Sequence, residues 1–469
     1  RDKSEKLRYR DQLEIMDIFG TLMQRLVTFC LTSQIVLAPI MLGGTRPWAI
    51  AVLTILTGIG LLAAGWFGHV KLTRPIKQVG IAGALLSVWL VVQAAPIWPT
   101  LPAPFNASHL ALYPTAFLPM IGSVLWLVGI YVLAAGCAQM RGDKFTRIIA
   151  WAVIIAAILQ VALACLADIF SFESTYWFAK QAHLGDWTGS FANRNAFGGL
   201  MTIAAIYALY LFCAKGTATI GSRIDHAAGW IALALIFTSA LFASHSRSAV
   251  LALAIALITF AIMLRPKADR LLPRITYPVL VVACVTTALI VIAMLIPDLG
   301  NRFAELARPD LIQRDDAWHT AIIAISHRPF TGFGPNAIAL VMDHFATLGL
   351  NRKAAWFSSH NLWLDAALIF GIPATLAMAG FILYRLTRTF RAAANRLDRT
   401  LLISLAALIG IMSSIGWVAS MPALILPFLS LLAALEARPK VQSRAASQYR
   451  NGPRQSVRPD PVLRQSPAD

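Results

Sequence analysis

Apolar stretches of roughly 17–25 residues recur from one end of the chain to the other. That is the length at which a helix rising 1.5 Å per residue crosses ~30 Å of hydrocarbon. Backbone groups in lipid find no water, so stretches of this kind must close their own hydrogen bonds as helices. The ~10-residue alternation of an outer-membrane barrel is absent from the sequence. Composition agrees, because only 13% of the 469 residues are charged, whereas a soluble domain has about 25%. The expected fold is an all-α polytopic membrane protein with about twelve transmembrane helices.

The stretches lie near residues 25–43, 47–68, 78–98, 116–139, 148–169, 197–214, 228–244, 248–264, 275–297, 360–384, 400–417 and 420–436. They define a leader (1–24), a membrane body (25–436) with one long loop (298–359), and a polar, basic, Pro-rich tail (437–469) expected to be disordered. The leader is expected either to lie as an amphipathic helix on anionic lipid or to be solvated. The chain opens on Arg1 and not on Met, as a fragment would, and no cleavable signal peptide is expected.

Lysine and arginine set the orientation. Placing both termini inside puts 30 of the 40 basic residues on the cytoplasmic side and ten outside, six of these in the long loop. This one-sidedness explains a net charge of +18. With no RRM, KH or zinc-finger pattern present, nucleic acid is excluded as a partner. The five cysteines (Cys30, Cys137, Cys165, Cys213 and Cys284) sit in separate apolar segments without a CxxC pair, so neither a disulfide nor a metal framework is expected. Gln34, Gln93 and Gln160 are the polar residues expected inside spans, satisfied by helix–helix hydrogen bonds. Charged side chains are almost absent from span interiors.

Four polar motifs gather at the outer ends of spans. GSFANRNAFGGL (189–200) places Asn193, Arg194 and Asn195 at a helix start, where free N–H groups and a guanidinium favour an anion. The alternative is an Asn cap with Arg194 reaching lipid headgroups. SHSRS (244–248) turns between two spans and sets Arg247 on the side disfavoured for arginine. In RDDAWHTAIIAISHRPFTGFGPNA (314–337), Arg314 and Trp318 share one helical face. Asp315 and Asp316 are expected to cap a helix, and GFGP permits close backbone approach. SSHNLWLDAALIFGIPA (358–374) puts His360, a candidate general base with an unperturbed pKa of ~6.5, at a span entrance. Asn361 and Asp365 stand four apart, in reach of each other along the helix.

The succession GxFxNxN, SxSR, RxxxW, PxxGxGP and HNxxL before GIP resembles the O-antigen ligase and O-antigen polymerase family of membrane glycosyltransferases, over about residues 190–375. One departure is Ile369, where the family usually has Glu. The resemblance implies a GT-C-like helical fold with a periplasmic loop at 298–359, in the bacterial inner membrane. It implies a donor glycan on undecaprenyl pyrophosphate, an acceptor that is lipid A–core or another glycan, and catalysis with no metal and no cofactor. Arg194, Arg247 and Arg314 would then hold the pyrophosphate, His360 would act on the acceptor hydroxyl, and Asn193, Asn195, Trp318 and Asn361 would support them. The rival readings are a transporter or flippase of a lipid-linked glycan or small solute, which favours midplane charges and inverted repeats, and a non-catalytic scaffold.

Reporter fusions test the topology. Fusions at Lys71, Arg141, Lys267 and Arg391 are expected to report cytoplasm, and fusions at Ser108 and Ala339 the opposite side. A cytoplasmic signal at Ala339 removes the long loop from any outward-facing site.

Overall fold

The computed structural model describes residues 2–66, 70–98, 108–214, 220–265, 310–353 and 355–438. The stretch expected at 275–297, the first residues of the long loop (298–309) and the tail from 439 onward lie outside the described residues. Within them the chain is helical, with one isolated β-bridge between Ser174 and Ala179. In chain order the helices are α1 (Asp2–Ile40), α2 (Pro47–Trp66), α3 (Arg74–Ala94), α4 (Phe117–Arg141), α5 (Lys144–Ile169), α6 (Arg194–Cys213), α7 (Ile220–Ala243) and α8 (Arg247–Leu264). After these come α9 (Asp310–His327), α10 (Ile338–His344), α11 (Leu362–Phe370), α12 (Ile372–Ala392), α13 (Arg396–Ser414) and α14 (Pro422–Ala437).

Among the described residues, eight helices are long and apolar enough to cross a membrane: the Ile18–Ile40 part of α1, α2 to α6, α8 and α13. Two shorter apolar helices, Ala228–Ala243 within α7 and α14, match further expected stretches. The stretch expected at 360–384 is not one helix. It breaks at Gly371, whose φ of 82° suits glycine alone, and α12 restarts at Ile372 with Pro373 in its first turn. The leader is helical. Its residues from Asp2 continue into the first span as one 39-residue helix, about 58 Å long at 1.5 Å per residue, with no separate surface helix.

Beyond the expected span interiors, buried charges gather at the basic end of the bundle. There Arg385 is 3% exposed and bonded to Glu436 and to Gln78 Oε1 (2.6 Å), while the Tyr131 and Thr389 hydroxyls also donate to Glu436. Buried Asp398 accepts from Tyr210 (3.0 Å), Asn395 (2.9 Å) and Arg438 (2.5 Å). Each charge is matched and hydrogen-bonded, the condition under which ionisable groups are tolerated away from water. Cys30, Cys137, Cys165 and Cys213 are free thiols.

Helix α6 is the most enclosed of the long apolar helices, with 83% of its apolar window buried against 17% for α3. It packs on α7, α8 and α13, while α14 packs on α4 and α1. Close approach depends on small residues. A Cβ on Gly198 would lie 2.9 Å from the Cβ of Ala249 on α8, and one on Gly199 would lie 2.6 Å from Leu424. Surface aromatics cluster near the ends of α1 and α5, where Trp48 meets Trp177 (4.8 Å) and Arg46 lies over Phe178 (5.5 Å). Such side chains suit a membrane–water interface.

The long loop has a small core of its own. Ala317, Ala321 and Ala324 form a stripe on α9 that meets Phe333, Val341, Met342 and Leu350, together with Ala367 and Leu368 of α11. The GFGP turn locks this core to the helix break. Phe333 N donates to Leu368 O (2.7 Å), Gly334 N to Ile369 O (3.0 Å) and Ile372 N to Pro329 O (2.7 Å). A Cβ on Gly332 would stand 2.6 Å from Ile369 O, and one on Gly371 would stand 2.4 Å from Phe330 O. The close backbone approach expected of GFGP is therefore present.

Gly332→Ala and Gly371→Ala are each expected to destabilise this junction by about 1–3 kcal/mol, from left-handed strain and the clash together. Limited proteolysis in detergent should cut faster between Asp310 and Lys353. Gly380→Ala, which meets nothing within 4 Å, is the control, and equal cutting of all three variants counts against the junction.

Candidate functional site

The first two motifs converge. Asn193 is the N-cap of α6, accepting from Asn195 N at 2.7 Å. Arg194, the first residue of that helix, donates through Nη1 to Asp186 Oδ2 at 2.9 Å. Asp186 is 4% exposed, and its other oxygen lies 2.9 Å from His245 Nδ1, with His183 Nδ1 3.8 Å from Oδ2. Asn195 Oδ1 accepts from Ser246 Oγ (2.7 Å) and Ser248 Oγ (3.2 Å). Ser246 in turn caps α8, whose first residue is Arg247. Two helix N-termini thus lie side by side with an arginine opening each, a geometry suited to an anion. Arg194 is held by a carboxylate and does not simply reach toward lipid.

Below this cluster the chain runs without regular structure through 187–192, and Ser190 ties it to its neighbours. Gln160 Nε2 donates to Ser190 Oγ (2.8 Å), Ser190 N to Gln160 Oε1 (2.9 Å), and Ser190 Oγ to Pro39 O (2.9 Å). Gly189 has φ +54°, and a Cβ there would come within 2.3 Å of Gln160 Oε1. Gln93 acts alike, donating to Thr331 O (2.6 Å) and Ile369 O (2.8 Å) beneath the GFGP turn. The expected helix–helix bonds are made by Gln93, through Ile369 O on α11, and by Gln34, which accepts from Thr57 (3.0 Å).

The third and fourth motifs form a second cluster. Arg314 on α9 donates to Ile415 O (3.2 Å), at the C-terminal end of α13. One turn later on the same helix, Trp318 has its indole N–H buried with no acceptor among the described residues, a donor that a phosphate oxygen would satisfy. His360 is half-buried, holds a left-handed backbone (φ 59°), and meets Trp356 edge-on at 5.8 Å. Burial, and then the Arg314 guanidinium, push its imidazole pKa below the ordinary value, with Asp365 opposing. The site can therefore offer a neutral imidazole beside a fixed cation.

Two expectations for these motifs need correction. Asn361 and Asp365 do not pair through their side chains. Asn361 caps α11, accepting from Trp363 N (3.0 Å) and Leu364 N (3.2 Å). The buried Asp365 carboxylate accepts from Ser358 Oγ (2.5 Å), Ser359 N (2.7 Å) and Ser359 Oγ (2.7 Å), and Ser358 Oγ accepts from His360 N (2.9 Å). Asp365 thus shapes the turn that presents His360. Asp315 and Asp316 lie inside α9 and cap nothing. Asp316 accepts from Thr347 Oγ1 (3.0 Å), tying the helix to the loop that follows α10. The α13–α14 connection lies between the clusters, with Ile415 bonded to Arg314 and the turn Val418–Ser420 packed on α6.

Asp186 and Asp365, the two carboxylates that organise these clusters, were not picked out as site residues by sequence reasoning. Asp186 stands in GDWTGS with no distinguishing spacing, whereas the short polar run SSHN ahead of Asp365 is a usable signal for a capped turn.

Fold and site together define a polytopic helical membrane protein that presents convergent cations and a histidine where several helices end. Residues 232–379, about a third of the chain, match the family model described as O-antigen ligase. The matched region runs from within α7 into α12 and includes SHSRS, the long loop and HNxxL, but not Asp186 or Arg194. No curated protein gives a significant match.

A double-mutant cycle tests the first cluster. Asp186→Ala and Arg194→Ala, singly and together, are expected to show a coupling of about 0.5–3 kcal/mol in unfolding of the detergent-solubilised protein. Strict additivity means that the pair does not form.

Proposed function

We propose that the protein transfers a glycan from an undecaprenyl-pyrophosphate carrier to lipid A–core or to another carrier-linked glycan, at the periplasmic face of the bacterial inner membrane. In this reading about twelve helices cross the membrane, the fold is GT-C-like, both termini are cytoplasmic, and the long loop lies over the outer ends of the spans. The end bearing Lys71, Arg141, Arg265, Arg396 and Arg438 is then cytoplasmic.

The chemistry follows from the placed groups. His360 removes the proton of the acceptor hydroxyl, whose oxygen attacks the anomeric carbon. The bond from that carbon to the pyrophosphate oxygen breaks on the opposite face, so the configuration inverts. Negative charge growing on the leaving pyrophosphate is met by Arg194, Arg247 and Arg314, by the N-termini of α6 and α8, and by the Trp318 N–H. Guanidinium groups supply this stabilisation without a divalent ion. The observation that carries the reading is His360. It sits in a strained backbone conformation, on a turn shaped by Asp365, and is kept neutral beside Arg314.

Purified protein with carrier-linked donor tests it. His360→Ala is expected to lose about 10²–10⁴-fold in rate, and EDTA to change nothing. The neutral imidazole is the active form and its pKa is lowered, so activity should persist into more acid solution than an ordinary histidine allows and fall only below ~6.5. Wild-type rates from His360→Ala eliminate the base, and chelator-sensitive transfer rejects the metal-free route. In a deletion strain, carrier-linked polymer without attachment identifies a ligase, and single attached repeat units identify a polymerase.

A further inference from the structure

Beside His360 the long loop encloses a cleft of about 310 Å³, lined among others by Met342, Asp343, Leu350, Arg352, Lys353 and Trp356. Its volume falls in the ~300–1,000 Å³ range of small-molecule sites, and it combines an apolar floor with a few polar groups, as such sites do. Met342 and Leu350 are buried and form the floor. The Trp356 indole N–H is committed to Asn351 O (2.9 Å), which fixes the ring and leaves its apolar faces for packing. The same ring that lines the cleft meets the His360 imidazole at 5.8 Å. Polar reach comes from the rim. Arg352 uses one nitrogen on Ala346 O (3.3 Å), and neither the Lys353 ammonium nor the Asp343 carboxylate has a hydrogen-bond or ion-pair partner among the described residues.

A fixed indole face beside hydrogen-bonding charges matches the two surfaces of a pyranose, whose C–H groups pack on aromatics and whose hydroxyls bond to carboxylates and cations. Two cations against one carboxylate favour a sugar bearing a negative group. Trp356 joins the cleft to the residue that acts on the attacking hydroxyl, so the occupant belongs to the acceptor side. We propose that the cleft binds a phosphate- or carboxylate-bearing sugar of the acceptor glycan and sets that glycan's register against His360. The assignment rests on the transferase reading above.

The test is transfer by the full-length protein with phosphorylated lipid A–core as acceptor, the same acceptor after phosphatase treatment, and carrier-linked donor. Trp356→Ala and Lys353→Glu are expected to raise the acceptor KM about tenfold or more, with the donor KM changed less than about twofold. Trp356→Phe, which keeps an aromatic face, should recover most of the loss. If phosphate is the recognised group, phosphatase treatment should raise the wild-type KM and abolish the further effect of Lys353→Glu. If a carboxylate is recognised, Lys353→Glu should act equally on both acceptors. A rise in donor KM alone, or no change in either constant, overturns the assignment. A second measurement separates the two readings: saturation-transfer NMR of the delipidated, phosphorylated core oligosaccharide with wild-type protein. Binding lost in Trp356→Ala upholds the cleft even where no transfer is detected and the transferase reading fails. No binding to wild type overturns the cleft even where transfer proceeds.

Discussion

Irregular backbone near a membrane must find hydrogen-bond partners inside the protein, and two buried glutamines meet this demand here. Gln160 bonds the backbone N–H and the hydroxyl of Ser190, and Gln93 bonds the carbonyls of Thr331 and Ile369. Both clusters hang on these amides. The turn held by Gln160 leads into the start of α6, and the strip held by Gln93 joins the GFGP turn to the helix break at Gly371. An aliphatic residue at either position would leave carbonyl or N–H groups unsatisfied in apolar surroundings, at a cost of roughly 1–3 kcal/mol per group. Position in an apolar helix, far from water, makes each amide effective.

The second cluster is built by local strain held in place by local bonds. His360 adopts a backbone conformation that costs of order 1 kcal/mol or more for a residue with a Cβ, and Asp365 offsets it by gathering the Ser358 and Ser359 hydroxyls and an N–H. The imidazole is thereby set by its own turn, by the Trp356 ring against it and by the loop core behind it. Because α9, the GFGP turn and α11 share that core, Arg314 and His360 belong to one packed body.

Much of this was legible in the sequence for a simple reason. Lipid demands long apolar helices, so their presence, rough ends and basic flanks are written in composition. Helix starts at Arg194 and Arg247, the pairing of Arg314 with Trp318 on α9, and the tight GFGP approach follow from capping and glycine chemistry. The helix break could have been read from GIP, but the apolar run across Gly371 masked it. Asp186 could not be read, because its partners are set by how loops fold over helix ends. Asn361 and Asp365 were misjudged because spacing shows which residues share a face, not which turn a carboxylate bends toward. The buried Arg385–Glu436 pair was missed because both lie near span ends, where long polar side chains usually reach water.

Asp186 already neutralises the guanidinium that opens α6. With that guanidinium already matched, the start of α6 has less pull on a small anion such as chloride than an unpaired arginine would have. An entering anion must compete with a carboxylate that is tethered beside its cation and never diffuses away. A ligand that engages several donors at once competes better than one that meets a single arginine. In the proposed reading the internal ion pair would favour a multidentate anion over a simple ion, ahead of any recognition of sugar.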